Sequence, residues 1–489
     1  MVELSLKLDA NSPVPLYRQV YDQIRAMILD GRIEPGSRLP PSRKVAEDHA
    51  IARVTVTAAY ELLQTEGFVE SRVGAGTFVS EIPELLPNQL GPAGKYSASL
   101  STWGQRVLDI ASNEEGVIPT NRQTIDFGFG RSFPHIFPYD IWRRLLARYL
   151  STDDTMLSHY GSVAGFYPLR QAVAGYLRRQ RGVRCAADQV IIVSGMQQAL
   201  DLLARLLLNS DDEVLVETPG YPGAFELFKT FGVRLRALPV DTEGFPVEKI
   251  PTHSQARIAF VTPSNQFPSG GTMPLPRRLA LLRWAREMNA LIFEDDYDGE
   301  LRYSGHPISA LQGLDKDERV VYLGTFSKVL FPALRLGYVV LPPALSEPFH
   351  QAMKLVDRGA PTLTQAAVAD FISEGHFERH LRRLRSEYGR RRRSLVEAVE
   401  HHLGNDVSFS GVEAGLHVML YLPAAIDESD FVHQAAGVGV GVYGGKTYHL
   451  DRPALPSILL GFSGLNTEEI TEGVNRLSGV LHSMMGINR

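Results

Sequence analysis

Lys328 and Arg335 stand in the stretch Gly324–Tyr338, GTFSKVLFPALRLGY, where almost every other residue is apolar or small. Taking an ammonium out of water with no opposite charge beside it is costly. A lysine in this setting therefore calls for a bound group that accounts for its charge. A desolvated lysine is also a good amine nucleophile toward carbonyl compounds, forming a Schiff base.

Other short stretches carry chemistry that fits such a partner. In SGMQQAL, Gly195 allows close approach, and the N–H groups of Gly195, Met196 and Gln197 open a helix suited to a phosphate. TPGYPG presents Tyr221, whose ring can stack on a flat ligand. PSNQFPSG offers Asn265 to a phenolic oxygen, and DDYDGE offers a carboxylate to a ring N–H⁺. TFSK adds Thr325 and Ser327 beside Lys328, with Arg335 a few residues on. Each group alone has an ordinary structural explanation, such as a cap, a packing ring or a snorkelling lysine. Together, phosphate anchor, aromatic face, phenolate partner, pyridinium partner and amine nucleophile describe pyridoxal 5′-phosphate held as a Schiff base.

The elements that must position these groups are legible as well. The apolar runs QVIIV, EVLVE, VRLRAL, RIAFVT, ALIFED, RVVYLG and LGYVVL read as strands. Amphipathic stretches such as MQQALDLLARLLL and PRRLALLRWAREM lie among them and read as helices. Strand and helix in turn predict an α/β, mainly parallel sheet. Ligands of such sheets sit beyond the carboxyl ends of the strands, where the chemical groups fall.

The N-terminal segment has another character. Leu16, Val20, Ile24 and Ile28 mark one face of a helix from about Pro15 to Asp30, closed by Gly31. A second helix starts at Ser42, expected as its N-cap after LPP. A third covers about Arg53–Glu66 with Val56, Tyr60 and Leu63 inward, and FVESRVGAGTFVS reads as a hairpin. Three helices and a hairpin make a winged helix-turn-helix, which binds DNA through its third helix and its wing. Ser42, Arg43, Lys44, Arg53, Thr55, Thr57, Arg72 and Gly76 are the expected DNA contacts. The first 80 residues hold nine Lys and Arg against ten Asp and Glu, so the motif rather than net charge carries this reading.

Bulk properties set outer limits. A chain of 489 residues is too long for one simple core. One cysteine, Cys185, excludes an internal disulfide and fits a reducing cytoplasm. No apolar run approaches the roughly 18 residues of a membrane helix, and no signal-peptide pattern opens the chain. No metal site is expected. The division predicted is a head at 1–80, a linker at 81–123 with a helix at WGQRVLDIAS, and a body at 124–489 whose small subdomain begins near 345.

The head, from PLYRQVYDQIRAMILDGRIEPGSRLPPSRKVAEDHA through TVTAAYELLQTEGFVESRVGAGTFV, resembles the GntR family of bacterial transcription regulators. From about residue 125 onward the chain resembles a fold-type I, class I aminotransferase, with SK, P and RLGY as its Schiff-base lysine region. The resemblance implies Lys328 as the residue forming the internal aldimine, and Thr325, Ser327 and Arg335 at the phosphate. It further implies Asp295 at the pyridine nitrogen, Tyr297 and Asn265 near the phenolic oxygen, and Tyr221 on the ring. Tyr160 in HYGSVAGFYPLR matches a tyrosine that reaches the partner subunit's cofactor phosphate, which implies a homodimer. The two parts together resemble the MocR/GabR subfamily, in which the body senses a small amine or amino compound, or the cofactor itself, and the head binds promoter DNA. A working aminotransferase with an accessory head is the alternative.

Some positions depart from the pattern. Ala52 and Ala50 replace a serine and a glycine before the third helix. In ALPSILLGFSGL, Leu459 occupies the place of the arginine that clamps a substrate carboxylate by two parallel hydrogen bonds, and Arg452 is not in register. Pro222 and Gly223 follow Tyr221 where the GABA-sensing relative has an arginine. These departures argue against ordinary transamination and against GABA. GVGVGVYGG has a GxGxxG spacing but no helix after it, so a strand and turn are expected rather than a dinucleotide site. RHLRRLRSEYGRRRRSL reads as a helix with a solvated basic face and Leu381, Leu384 and Tyr388 inside.

Overall fold

The computed structural model describes residues 2–81, 99–112, 125–131, 135–150, 158–305, 308–451 and 453–486. The chain divides into two compact units, Met1–Ser99 and Leu100–Arg489. Arg452 and much of the expected linker lie outside the described residues.

In the first unit, α1 (Leu16–Leu29) buries Val20, Tyr21, Ile24 and Ile28, the i+4 stripe of the sequence with one added ring. α2 (Ser42–Asp48) corrects one expectation: its N-cap is Pro41, and Ser42 is already helical. Proline's fixed φ suits the entry to a helix, so the second proline of LPP takes the place expected for the serine. α3 (Arg53–Thr65) starts from Ala52, which supplies no side-chain cap. Two residues earlier, Ala50 holds φ 51°, a left-handed conformation in which glycine carries no Cβ penalty. β1 (Val69–Arg72) and β2 (Gly76–Val79) pair antiparallel to form the wing. Val56, Ala59, Leu63, Val69 and Val79 close a core under the helices.

The second unit begins with α4 (Thr102–Ser112), the helix read at WGQRVLDIAS, then β3 (Ile125–Asp126), α5 (Tyr139–Leu150) and α6 (Tyr167–Gln180). An alternating run follows: β4 (Val190–Val193), α7 (Met196–Leu207), β5 (Glu213–Thr218), α8 (Pro222–Thr230) and β6 (Arg234–Pro239). It continues through β7 (Ile258–Val261), α9 (Leu275–Glu287), β8 (Leu291–Asp296), β9 (Val320–Thr325) and β10 (Gly337–Val340). Then come α10 (Pro343–Val356), α11 (Thr362–Ser373) and the 27-residue α12 (His376–His402). The chain ends with β11 (Ser408–Ser410), β12 (His417–Tyr421), α13 (Glu428–Gly437), β13 (Val440–Gly441), β14 (Tyr443–Gly444), β15 (Ser457–Gly461) and α14 (Thr467–Met484).

β4 to β10 are the seven strands read from the sequence, and they form one sheet in the order β4-β10-β9-β8-β7-β5-β6. β5 to β9 run parallel, whereas β10 is antiparallel to both β9 and β4. β4 therefore runs the same way as β5 to β9, and their carboxyl ends share one edge. β10 runs the other way, so Arg335, just before its start, reaches that same edge. All but the edge strand β6 are buried along nearly their whole length, as strands with helices on both faces must be.

A second sheet has the order β11-β12-β15-β14 and is antiparallel. GVGVGVYGG forms β13, which pairs in parallel with β3, and β14, which joins this sheet beside β15, followed by a short 3₁₀ turn rather than a long helix. α12 buries Leu381, Leu384 and Tyr388 as expected, but also Arg391, whose guanidinium donates to the Ser463 carbonyl at 2.7 Å and to Glu387 at 3.0 Å. Among the described residues, no helix is long and apolar enough to cross a membrane.

Candidate ligand-binding cleft

At the carboxyl edge of the large sheet lies a cleft with about 690 Å³ of open space. Gly195, Met196, Gln197, Tyr221, Asp295, Tyr297, Thr325, Ser327, Lys328 and Arg335 line it, together with Phe129 and Phe267. Of the residues selected from the sequence for a cofactor, only Asn265 and Tyr160 are not in this lining.

One end of the cleft is built for an anion. Gly195 caps α7 at φ 126°, a conformation that side-chain-bearing residues rarely adopt, and leaves the first N–H groups of the helix open. A Cβ at that position would stand 3.3 Å from an Arg335 guanidinium nitrogen, so the arginine lies against the helix start. Arg335 is itself left-handed, at φ 50°. The Thr325 hydroxyl accepts the Ser327 N–H at 3.1 Å, shaping the turn that leads to the lysine. Helix dipole and guanidinium act in the same direction on a bound phosphate.

The other end holds a carboxylate with nothing to bind. Asp295 Oδ1 is buried without a hydrogen-bond partner. Burial, then the negative charges of Asp296 and Glu217, push its pKa up to about 8, against the pull of Lys328. Its neighbour Asp296 is different: Arg181 donates to both of its oxygens, at 2.8 and 3.0 Å. The two adjacent aspartates of β8 thus point to opposite tasks, because successive strand residues face opposite ways.

Lys328 joins the two ends. Its Nζ sits 4.3 Å from the centroid of the Phe129 ring. Burial lowers its pKa, while the buried carboxylates Asp298 and Asp295 pull it back up. Tyr221 caps α8, with its ring 6.2 Å from Phe267, and burial pushes its hydroxyl up to about 12. Asn265 stands behind the lining, its amide donating to the Tyr297 hydroxyl at 3.0 Å and to Asp298 at 2.8 Å. Tyr160 is 87% exposed, with the Arg358 guanidinium 5.9 Å from its ring.

Sequence reading missed Phe129, Phe267, Asp298 and His417. Asp298 lies in DDYDGE, and its depth in the fold could have been suspected from four carboxylates in one strand-end turn. Phe129 and His417 come from segments far from the lysine in sequence, and no local signal marks them.

In the head, Arg43, Lys44, Arg53 and Arg72 are exposed. Arg53 Nε donates to the Ser42 hydroxyl at 3.4 Å, bringing the starts of α2 and α3 together. Thr55 is half-buried, and the Thr57 hydroxyl donates to the Arg53 carbonyl one turn back at 3.0 Å. Arg72 lies over the Phe78 ring at 4.7 Å and bonds Glu70. At Gly76 the sequence reading overlooked a neighbour: a Cβ there would come within 2.8 Å of Arg38, which lines the wing.

A half-buried lysine, an anion-binding helix start and an unpaired carboxylate at the edge of this sheet fit pyridoxal 5′-phosphate group by group. The body is thus an aminotransferase-type, fold-type I domain whose cofactor is pyridoxal 5′-phosphate. Family comparison agrees: residues 135–477 match aminotransferase class I and II, and residues 16–79 match the bacterial regulatory proteins of the gntR family. The chain belongs to the MocR-type GntR regulators, which join a DNA-binding head to an aminotransferase-like body.

The probable rhizopine catabolism regulatory protein MocR of Rhizobium meliloti is 39% identical over 477 residues, covering 96% of this chain and 95% of its own. A kynurenine aminotransferase from Pyrococcus horikoshii, solved in complex with PMP, is 30% identical with a TM-score of 0.70, covering 80% of this chain and 95% of its own. The α-aminoadipate aminotransferase LysN from Thermus thermophilus, complexed with N-(5′-phosphopyridoxyl)-L-leucine, is 29% identical with a TM-score of 0.72. That match covers 79% of this chain and 98% of LysN.

Proposed function

We propose that this regulator senses a small amine at the Lys328 site and thereby changes its binding to promoter DNA. Lys328 is the linkage residue, the α7 start with Thr325, Ser327 and Arg335 holds the phosphate, and Asp295 pairs with the ring N–H⁺. Tyr297 and Asn265 serve the phenolic oxygen, and Tyr221 covers the ring. The bound cofactor supplies an aldehyde carbon that condenses reversibly with primary amines. An amine bound at that carbon would leave the Lys328 amine free beside Asp298 and Asp295, whose charges favour its protonated form against the effect of burial.

The observation that carries this reading is an intact cofactor-binding set beside a position, Leu459, that is a fully buried leucine where an enzyme places its carboxylate clamp. Such a site can take an amine without committing it to turnover. The exposed Tyr160 ring supports a homodimer, since large exposed rings commonly mark a surface that a partner covers. A DNA-binding chain with a single cysteine suits the cytoplasm.

The test is Lys328→Ala. Loss of both the cofactor's linked visible absorption and the amine-dependent change in DNA affinity is the expected result. Retention of both would refute the reading. Sustained transamination by the wild type, at ordinary rates of roughly 1–10³ s⁻¹, would favour an enzyme instead.

A further inference from the structure

This inference rests on the amine-sensing reading and carries it to the class of amine. In the small sheet His417 stands opposite Gly461, Met419 opposite Leu459, and Tyr443 opposite Leu459. Side chains alternate across a sheet, so His417, Met419, Leu459 and Tyr443 share one face. Val418, Leu420, Ile458 and Leu460 take the other face and join the main core. At His417 the first face packs against the back of the cleft's wall. The His417 ring packs edge-on at 4.9 Å from Phe129 and 5.3 Å from Phe267, and both phenylalanines line the cleft.

His417 is 2% exposed, and its Nε2 lies 3.0 Å from the Pro268 carbonyl oxygen. A carbonyl only accepts, so Nε2 carries the proton and Nδ1 of the neutral ring is an acceptor. That acceptor is buried with no partner. Burial pulls the ring's pKa down to about 4, which keeps it neutral. Beside it, Met419 and Leu459 are both fully buried and apolar. The cations lining the cleft are Lys328 and Arg335, and Arg335 stands at the anion end. Arg131, next to Phe129 and Gly130, is ion-paired with Asp126. A carboxylate brought to this face would meet an acceptor nitrogen and alkyl groups, and would be desolvated without a partner.

We propose that this face selects the effector, a primary amine that carries no carboxylate and offers an O–H or N–H donor to His417 Nδ1. The amine end goes to the Lys328 site, and the donor satisfies the unpaired Nδ1 of His417.

The experiment uses full-length protein loaded with pyridoxal phosphate and follows the cofactor's visible absorption. It is titrated with cyclohexylamine, 4-aminocyclohexanol and 4-aminocyclohexanecarboxylate, which differ only in the distal group. The amino alcohol is expected to bind tightest, roughly tenfold ahead of cyclohexylamine, as one satisfied buried hydrogen bond allows. The amino acid is expected to bind weakest. His417→Phe removes the alcohol's advantage, and His417→Asn, with a polar acceptor at the δ position, keeps part of it. Leu459→Arg, independent of His417, raises the amino acid above the alcohol. An amino acid that binds the wild type as well as the alcohol does would overturn the proposal and point to Arg131 as a clamp. An alcohol advantage that survives His417→Phe would also overturn it. A spectrum that no amine moves would overturn the sensing reading itself and this proposal with it, a result distinct from a misordered series.

Discussion

The head and the cleft hold their working side chains in opposite ways. Arg43, Lys44, Arg53 and Arg72 are exposed, and the partners of the three arginines are surface carboxylates or a hydroxyl. Asp295, Lys328, Asp298 and His417 are withdrawn from water, and their protonation equilibria are shifted by burial. A polyanion is met by mobile charges that release counterions. A small flat ligand is met by groups already fixed and desolvated, whose unmet hydrogen bonds await it. One chain thus recognises by mass action at one end and by preorganisation at the other.

The sharpest way to break this contrast is Asp295→Asn. Removing a charge-assisted bond to the cofactor should weaken its binding by about 10- to 100-fold, read by spectroscopic titration of the cofactor. The variant also has a signature in pH. Asp295 moves from an ordinary 3.8 to about 8, so the folded cofactor-free protein keeps a proton that the unfolded chain gives up. Stability from this group is therefore full below about pH 4 and falls as pH rises toward about 8. Glu217, Glu294 and Glu300, each raised to about 7, act with the same sign. Thermal melts of cofactor-free protein should decline across that range, and less steeply for Asp295→Asn.

At the exposed end effects are smaller and depend on salt. Arg53→Ala should weaken binding to duplex DNA and lower the slope of log affinity against log salt by about one contact's worth, roughly 0.9. A slope left unchanged would take Arg53 off the phosphate backbone. The smallest effect is on structure alone. Ala52→Ser restores a side-chain cap to α3 and should steady its first turn by about 1 kcal/mol, read by hydrogen exchange on the full chain.

The sequence disclosed the cleft to the extent that its chemistry is local. Asp295 sits at the end of an apolar strand and Gly195 and Lys328 come within three residues after one, and parallel strands bring such ends to one edge. The seven strands themselves were legible for the same reason, since a buried strand is a short apolar run between breakers. What sequence concealed is what the third dimension adds. The pairing of Asp296 with Arg181 crosses 115 residues, and Phe129 reaches Lys328 from the opening of the body. His417 acquires meaning only once Pro268 fixes its tautomer. Ser42 misled because a serine after two prolines has the composition of a cap, while backbone geometry hands that place to Pro41.

The reversal of β10 has a consequence for how the site assembles. Lys328 and Arg335 are joined by a short corner that begins and ends at the same sheet edge, so closing that loop costs little chain entropy. Gly195 and Asp295 must be brought in across much longer loops. The lysine and the arginine therefore form one local unit, which a cofactor held as proposed would stitch to strands from distant parts of the chain. Loading the cofactor should accordingly stabilise the body as a cross-link would, by about 2.7 kcal/mol at a hundredfold excess over its dissociation constant.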